Sequence, residues 1–173
     1  MYLEPINFVV MKENQLQIQY NTYQWEELSE SYKNLIDQSI VAQNNAYAPY
    51  SNFKVGAAIL LEGGTIFTGN NQENAAYPSG LCAERVAIFA CSAQHPNVKI
   101  NVIAICANSE KIDINTVLAP CGSCRQSMYE YELKQNSPIK VLLKGFDNEV
   151  VEFLSVADLL PLVFRCDGLK NVR

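Results

Sequence analysis

Two short segments constrain this chain more than any other feature: Cys82-Ala83-Glu84-Arg85 and Pro120-Cys121-Gly122-Ser123-Cys124-Arg125-Gln126. Each stands at the predicted start of a helix. A lone Cys-x-x-Cys is compatible with a redox pair or with half a zinc site. A third cysteine at a second helix start narrows the choice. Three thiolates converging from two helix N-termini make a tripodal zinc site with its fourth position open. A closed site needs another ligand. The helical turn of about 100° per residue sends Cys91 to the opposite face from Cys82. Cys106 lies in an apolar strand, where a buried structural cysteine is the ordinary reading. Cys166 and the single histidine, His95, stand in poorly defined segments, and spacing alone leaves both open as ligands.

The neighbours of the cysteines fit an open site. Zinc with three thiolates carries a net negative charge, which opposes ionisation of a bound water. Helix N-termini supply partial positive charge to both segments. Arg85 and Arg125 are placed to donate hydrogen bonds to the sulfurs and so restore Lewis acidity. The stretch from Cys82 to Ala93 is apolar nearly all round, which predicts a buried helix. A carboxylate on such a helix is costly unless it works with the metal or its water, so Glu84 is the expected general base.

Composition removes other classes. The 173 residues carry 13 Lys plus Arg against 18 Asp plus Glu, a formal charge of −5. A nucleic-acid binder usually presents a basic face, and none is visible, so the expected partner is a small molecule. One histidine excludes a multi-His zinc site. Charged residues make up 18% of the chain, low against a typical figure of about 25%, which suggests surface buried between subunits. The segment from Met1 to Gln15 has no basic region and only a short apolar run, unlike a signal peptide. No stretch approaches the roughly 20 apolar residues of a membrane span. A cytoplasmic location is expected, where clustered cysteines are more often ligands than disulfide partners.

The pattern predicts α/β organisation. Phe8–Met11 and Leu16–Tyr20 read as a hairpin or two short strands, in an N-terminal extension over residues 1–24 ahead of one catalytic domain over 25–173. A helical period runs from Trp25 to Ala46, with Leu28, Tyr32, Leu35, Ile36 and Ile40 on one stripe. Gly63-Gly64 separates two strands. Asn101–Ala107 and Ile139–Leu143 read as strands around a helix over 121–133. Asp147-Asn148 then turns the chain into a strand at Val150–Leu154. Ser155-x-x-Asp158 caps a short last helix near Pro161. Strands and helices alternate, so the expected fold is a mixed β-sheet sandwiched by helices.

Four segments in order carry a family resemblance: Tyr47 to Ala58 (YAPYSNFKVGAA), Gly69 to Tyr77 (GNNQENAAY), and the two cysteine segments. Between about Ala46 and Phe164 the chain resembles the small homo-oligomeric cytidine deaminases of pyrimidine salvage. Three cysteines, a non-ligand glutamate and a P-C-x-x-C segment are the known pattern of zinc deaminases, so this assignment is matched rather than deduced. The resemblance implies one Zn²⁺ per chain on Cys82, Cys121 and Cys124, with Glu84 as proton shuttle. It implies Asn71 and Glu73 on the ribose hydroxyls, Phe53 on the pyrimidine ring, and the Ala83 backbone at the zinc-facing edge of the base. It also implies Tyr77 and Phe164 reaching into a neighbouring subunit's site of a homotetramer. The expected reaction is hydrolytic deamination of cytidine and 2′-deoxycytidine. Alternatives are a deaminase of a modified nucleoside or aminated antibiotic, an editing enzyme, and a non-catalytic zinc or nucleoside module. Intact Glu84 argues against the module, and the acidic charge against editing.

Overall fold

Strand alternation divides the core of this protein in two. The computed structural model describes residues 11–109, 111, 114, 116–145, 148–165 and 168. Six strands form one sheet: β1 (Asn21–Gln24), β2 (Phe53–Leu61), β3 (Ile66–Asn70), β4 (Ile100–Ser109), β5 (Lys140–Lys144) and β6 (Glu149–Phe153), in the order β1-β6-β5-β4-β2-β3. All pairings are antiparallel except β4 with β5. Helices α1 (Glu30–Asn44), α2 (Ala83–Gln94) and α3 (Gly122–Gln135) cover the faces. Ala57, Ile59, Ile103, Ile105, Val141 and Leu143 point to α2 and α3. Ala58, Val102, Ala104 and Leu142 point to Leu35 and Ile36 of α1. A sheet covered on both faces needs apolar residues on both, which is why β4 and β5 read as continuous apolar runs. The layers are helix, sheet, helix, as expected.

Local signals set the helix starts. Ser29 caps α1 by accepting the Tyr32 N–H at 3.3 Å, while Trp25–Glu27 forms a separate 3-10 helix. The α-helix therefore begins later than its apolar stripe predicts, because Leu28 packs in the core from an extended residue. Ser155 and Asp158 form the expected capping box, on a 3-10 helix over Val156–Leu159.

Two expectations are corrected. Within residues 11–24 there is no hairpin. Phe8–Val10 lie outside the described residues, and Leu16–Tyr20 is exposed and irregular. The strand comes later, at β1, and pairs with β6 across the whole chain. Its anchor is Glu152, 3% exposed, which accepts from Asn21 Nδ2 (3.0 Å), the Tyr23 hydroxyl (3.0 Å), the Tyr32 hydroxyl (2.8 Å) and Lys140 Nζ (3.3 Å). Nor is α2 buried all round. Val86 is half-buried and Phe89, Ala90 and Ala93 are exposed, because none of the described residues covers the face turned away from the sheet.

Glycines let both helix layers approach. A Cβ on Gly56 would stand 1.9 Å from the Ser39 carbonyl of α1. A Cβ on Gly69 would stand 2.5 Å from Ala87 N and 2.8 Å from Ala83 O of α2. Backbone atoms cannot rotate away, so Gly69→Ala must displace α2, which carries Cys82 and Glu84 at its start. Chemical denaturation of Gly69→Ala is expected to show a loss of about 1–3 kcal/mol, the usual cost of overpacking. Stability equal to wild type would contradict this contact.

Candidate metal centre and active-site cavity

The crossover from β4 through α3 to β5 brings the start of α3 beside the start of α2. Cys82 is the N-cap of α2, Cys121 the N-cap of α3, and Cys124 lies in the first turn of α3. Their three Sγ atoms lie within 4.8 Å of one another. Tetrahedral zinc with bonds of about 2.3 Å wants sulfurs about 3.8 Å apart, so small side-chain adjustments suffice. An all-thiol donor set suits zinc. Burial grades from Cys124, fully buried, through Cys82 to exposed Cys121, which leaves one side of the tripod open to a cavity.

Electrostatics at the tripod favour holding a cation. The Cys82 thiol is drawn down to about 5, first by a hydrogen bond from Cys124 and then by the Arg85 guanidinium. Arg85 Nη2 donates to Cys82 Sγ at 3.6 Å. Cys124 is pushed up because its proton is committed to Cys82 and because it is buried beside negative groups. Three thiolates cannot all ionise in so small a space without a positive ion to share. Glu84, 5% exposed, is raised above the usual carboxylate range by burial and by the charge on Cys82. Its Oε2 is buried with no hydrogen-bond partner. An orphaned carboxylate oxygen beside three sulfurs is costly unless a metal, a water or a substrate meets it.

The cavity beside the tripod measures about 740 Å³. Phe53, Asn71, Glu73, Tyr77, Cys82, Glu84, Arg85 and Cys121 all line it, with Ile105 and Ala107 of β4 as its floor. The candidates from the two loop segments therefore meet the two cysteine segments at one end of the sheet. Asn71 Oδ1 accepts the Val55 N–H and its Nδ2 donates to the Phe53 carbonyl, both at 2.8 Å.

Other expected residues lie elsewhere. Ala83 is fully buried in the core and, unlike Cys82 and Glu84 on either side of it, does not line the cavity. Phe164 is 70% exposed and does not line the cavity of its own chain. Arg125 does not reach a sulfur. It donates from Nε to the Pro120 carbonyl and from Nη1 to the Leu159 carbonyl, each at 2.7 Å, and so clamps the backbone ahead of Cys121 to the last 3-10 helix. His95 ends α2, edge-on to Phe67 at 5.0 Å, with the length of the helix between it and Cys82. Cys91 and Cys106 are buried in the core, and Cys166 lies outside the described residues.

Sequence reasoning missed Ser51, Leu81, Leu118 and Ala119, which also line the cavity. Ser51 stands inside a family-like motif but offers no charge or ligand type to single it out. The other three are apolar residues in irregular segments, where periodicity says nothing.

Comparison with known proteins agrees with this site. The family described as "Cytidine and deoxycytidylate deaminase zinc-binding region" matches residues 29–137. A cytidine deaminase of Halalkalibacterium halodurans is 36% identical over 137 residues, which is 79% of this chain and 96% of that protein. One of Sporosarcina psychrophila is 38% identical, over 79% of this chain and 93% of its own length. Among solved structures, the cytidine deaminase of Burkholderia pseudomallei superposes with a TM-score of 0.66 at 38% identity, covering 77% of this chain and 98% of that one. A family match across most of the chain, on a fold that brings the three thiols together, establishes that this chain belongs to the cytidine deaminase family.

Proposed function

We propose that this protein hydrolyses cytidine and 2′-deoxycytidine to uridine and 2′-deoxyuridine with release of ammonia. The observation that carries this reading is the buried, unpartnered Glu84 oxygen beside the three thiols, within a cavity that also holds Asn71, Glu73 and Phe53. Cys82, Cys121 and Cys124 hold the metal. Zinc held there would supply Lewis acidity toward a water.

The remaining chemistry belongs to the chain. Phe53 offers a face for the pyrimidine ring. Asn71 and Glu73 take the sugar, through an amide that donates and accepts and a carboxylate that accepts. Glu84 receives a proton from the attacking water and passes it to N3 of the base. It then carries the second proton to the departing amine, so water adds across C4 and ammonia leaves. A raised pKa suits a group that must both take and return protons. Arg85 offsets charge on Cys82, and Arg125 positions the loop before Cys121.

Lining residues favour a nucleoside over a nucleotide. Two carboxylates, Glu73 and Glu84, face the cavity, and its one lining cation among the described residues, Arg85, is engaged with Cys82. Ultraviolet assays with cytidine, deoxycytidine, cytosine and CMP in parallel are expected to show turnover of the two nucleosides alone. A CMP rate comparable to that of cytidine would overturn the substrate class.

The same reading makes the protein a homotetramer with shared sites. Phe164 (70% exposed), Leu162 (92%) and the Phe89, Ala90 and Ala93 face of α2 are apolar surface that subunit contacts would cover. Tyr77, 81% exposed, stands at the rim of the cavity, where it can meet both its own and a neighbouring site. Mixing inactive Glu84→Ala chains with inactive Phe164→Ala chains should restore part of the activity in hybrids. A fully active monomer would refute the sharing. No helix among the described residues is long and apolar enough to cross a membrane.

A further inference from the structure

Resting on the nucleoside reading of the cavity, we propose that Ser51 is a positioning residue for sugar recognition. It holds the Glu73 carboxylate so that one acceptor site on Oε1 is left for one sugar hydroxyl. Glu73 accepts the Tyr50 N–H at 2.9 Å and the Ser51 N–H at 3.3 Å on Oε2, and the Ser51 hydroxyl on Oε1. An ionised carboxylate offers about four lone-pair sites, so these three donors leave one. That site belongs to Oε1, the oxygen whose direction the Ser51 hydroxyl sets. Ser51 and Glu73 both line the cavity.

The hydroxyl is engaged both as donor and as acceptor. Its single proton goes to Glu73, and its oxygen accepts the Phe53 N–H at 2.9 Å. Asn52, between them, has φ of 54°, a left-handed turn that folds Ser51 back over the start of β2. Asn71 holds the next carbonyl of the same stretch, that of Phe53, at 2.8 Å. Ser51 thus connects the carboxylate on the sugar side to the backbone of the aromatic on the base side. Its bond is also the first reason that Glu73 lies below the usual carboxylate range.

The test compares cytidine with 2′,3′-dideoxycytidine on each variant. Wild type should prefer cytidine in kcat/KM by about ten- to hundredfold, the range of a hydrogen bond to a charged group. Ser51→Ala should shrink that preference by about tenfold, with the loss on cytidine falling on KM, while Ser51→Thr should retain it. Both substrates are read on one preparation, so any inactive fraction cancels from the ratio. Should Ser51→Ala yield too little folded protein, Ser51→Val against Ser51→Thr gives the same comparison, since the pair share a shape and differ by the hydroxyl. A preference in Ser51→Ala or Ser51→Val within twofold of wild type overturns the role of Ser51. Wild type without activity on cytidine would instead overturn the nucleoside reading, and this proposal with it.

Discussion

Glu84→Gln should keep its zinc and lose turnover by at least about 10²–10⁴-fold, the contribution of general acid-base catalysis. The amide preserves size and hydrogen bonding but cannot take the proton from water. One residue serves both proton steps, so the loss can exceed that range. Thermal stability should hold or rise, because burial already disfavours the charged carboxylate and the amide carries no charge to desolvate. Calorimetry on this inactive variant should still detect cytidine binding, since Asn71, Glu73 and Phe53 are untouched. Full zinc content with activity within tenfold of wild type would show that Glu84 is not the shuttle.

Cys82→Ala, Cys121→Ala and Cys124→Ala should each lose stoichiometric zinc and, with it, activity. Three thiolates are the whole donor set among the described residues, so removing one leaves two ligands around an open ion. Metal analysis after dialysis against a mild chelator reads the outcome directly. Cys91→Ala and Cys106→Ala are the controls. Both side chains are buried in the apolar core, so their loss costs packing but no ligand. Retained stoichiometric zinc in Cys82→Ala would overturn the tripod. Lost zinc in Cys91→Ala, with the fold intact by circular dichroism, would show that the donor set is incomplete.

Both results depend on residues that the amino-acid sequence makes legible. Cys82, Cys121 and Cys124 are readable because ligand chemistry admits few residue types and because both segments open helices. Glu84 is readable because a carboxylate amid apolar residues needs a reason. Other residues of equal structural weight are silent. Glu132, 8% exposed, accepts the Ile139 and Val156 N–H groups and the Ser155 hydroxyl, and so ties α3 to β5 and to the last 3-10 helix. In the sequence it is one of two glutamates on a polar helix. Glu152 likewise looks like an ordinary strand residue until Asn21, Tyr23, Tyr32 and Lys140 close around it.

The division follows from range. By itself the sequence pointed to the helices and strands of the two-sided core, to the three cysteines that the fold brings together, and to the carboxylate beside them. Each of those signals is local: a period of 2 or 3.6, a cap, or a residue type with few alternative uses. Tertiary structure alone decided that β1 docks on β6, that Arg125 grips two carbonyls instead of a sulfur, and that Phe164 turns away from its own cavity. It also decided that Ser51 meets Glu73. Those outcomes depend on strand order and on which loops share one end of the sheet, and pairings between residues far apart in the chain leave no periodic trace in it.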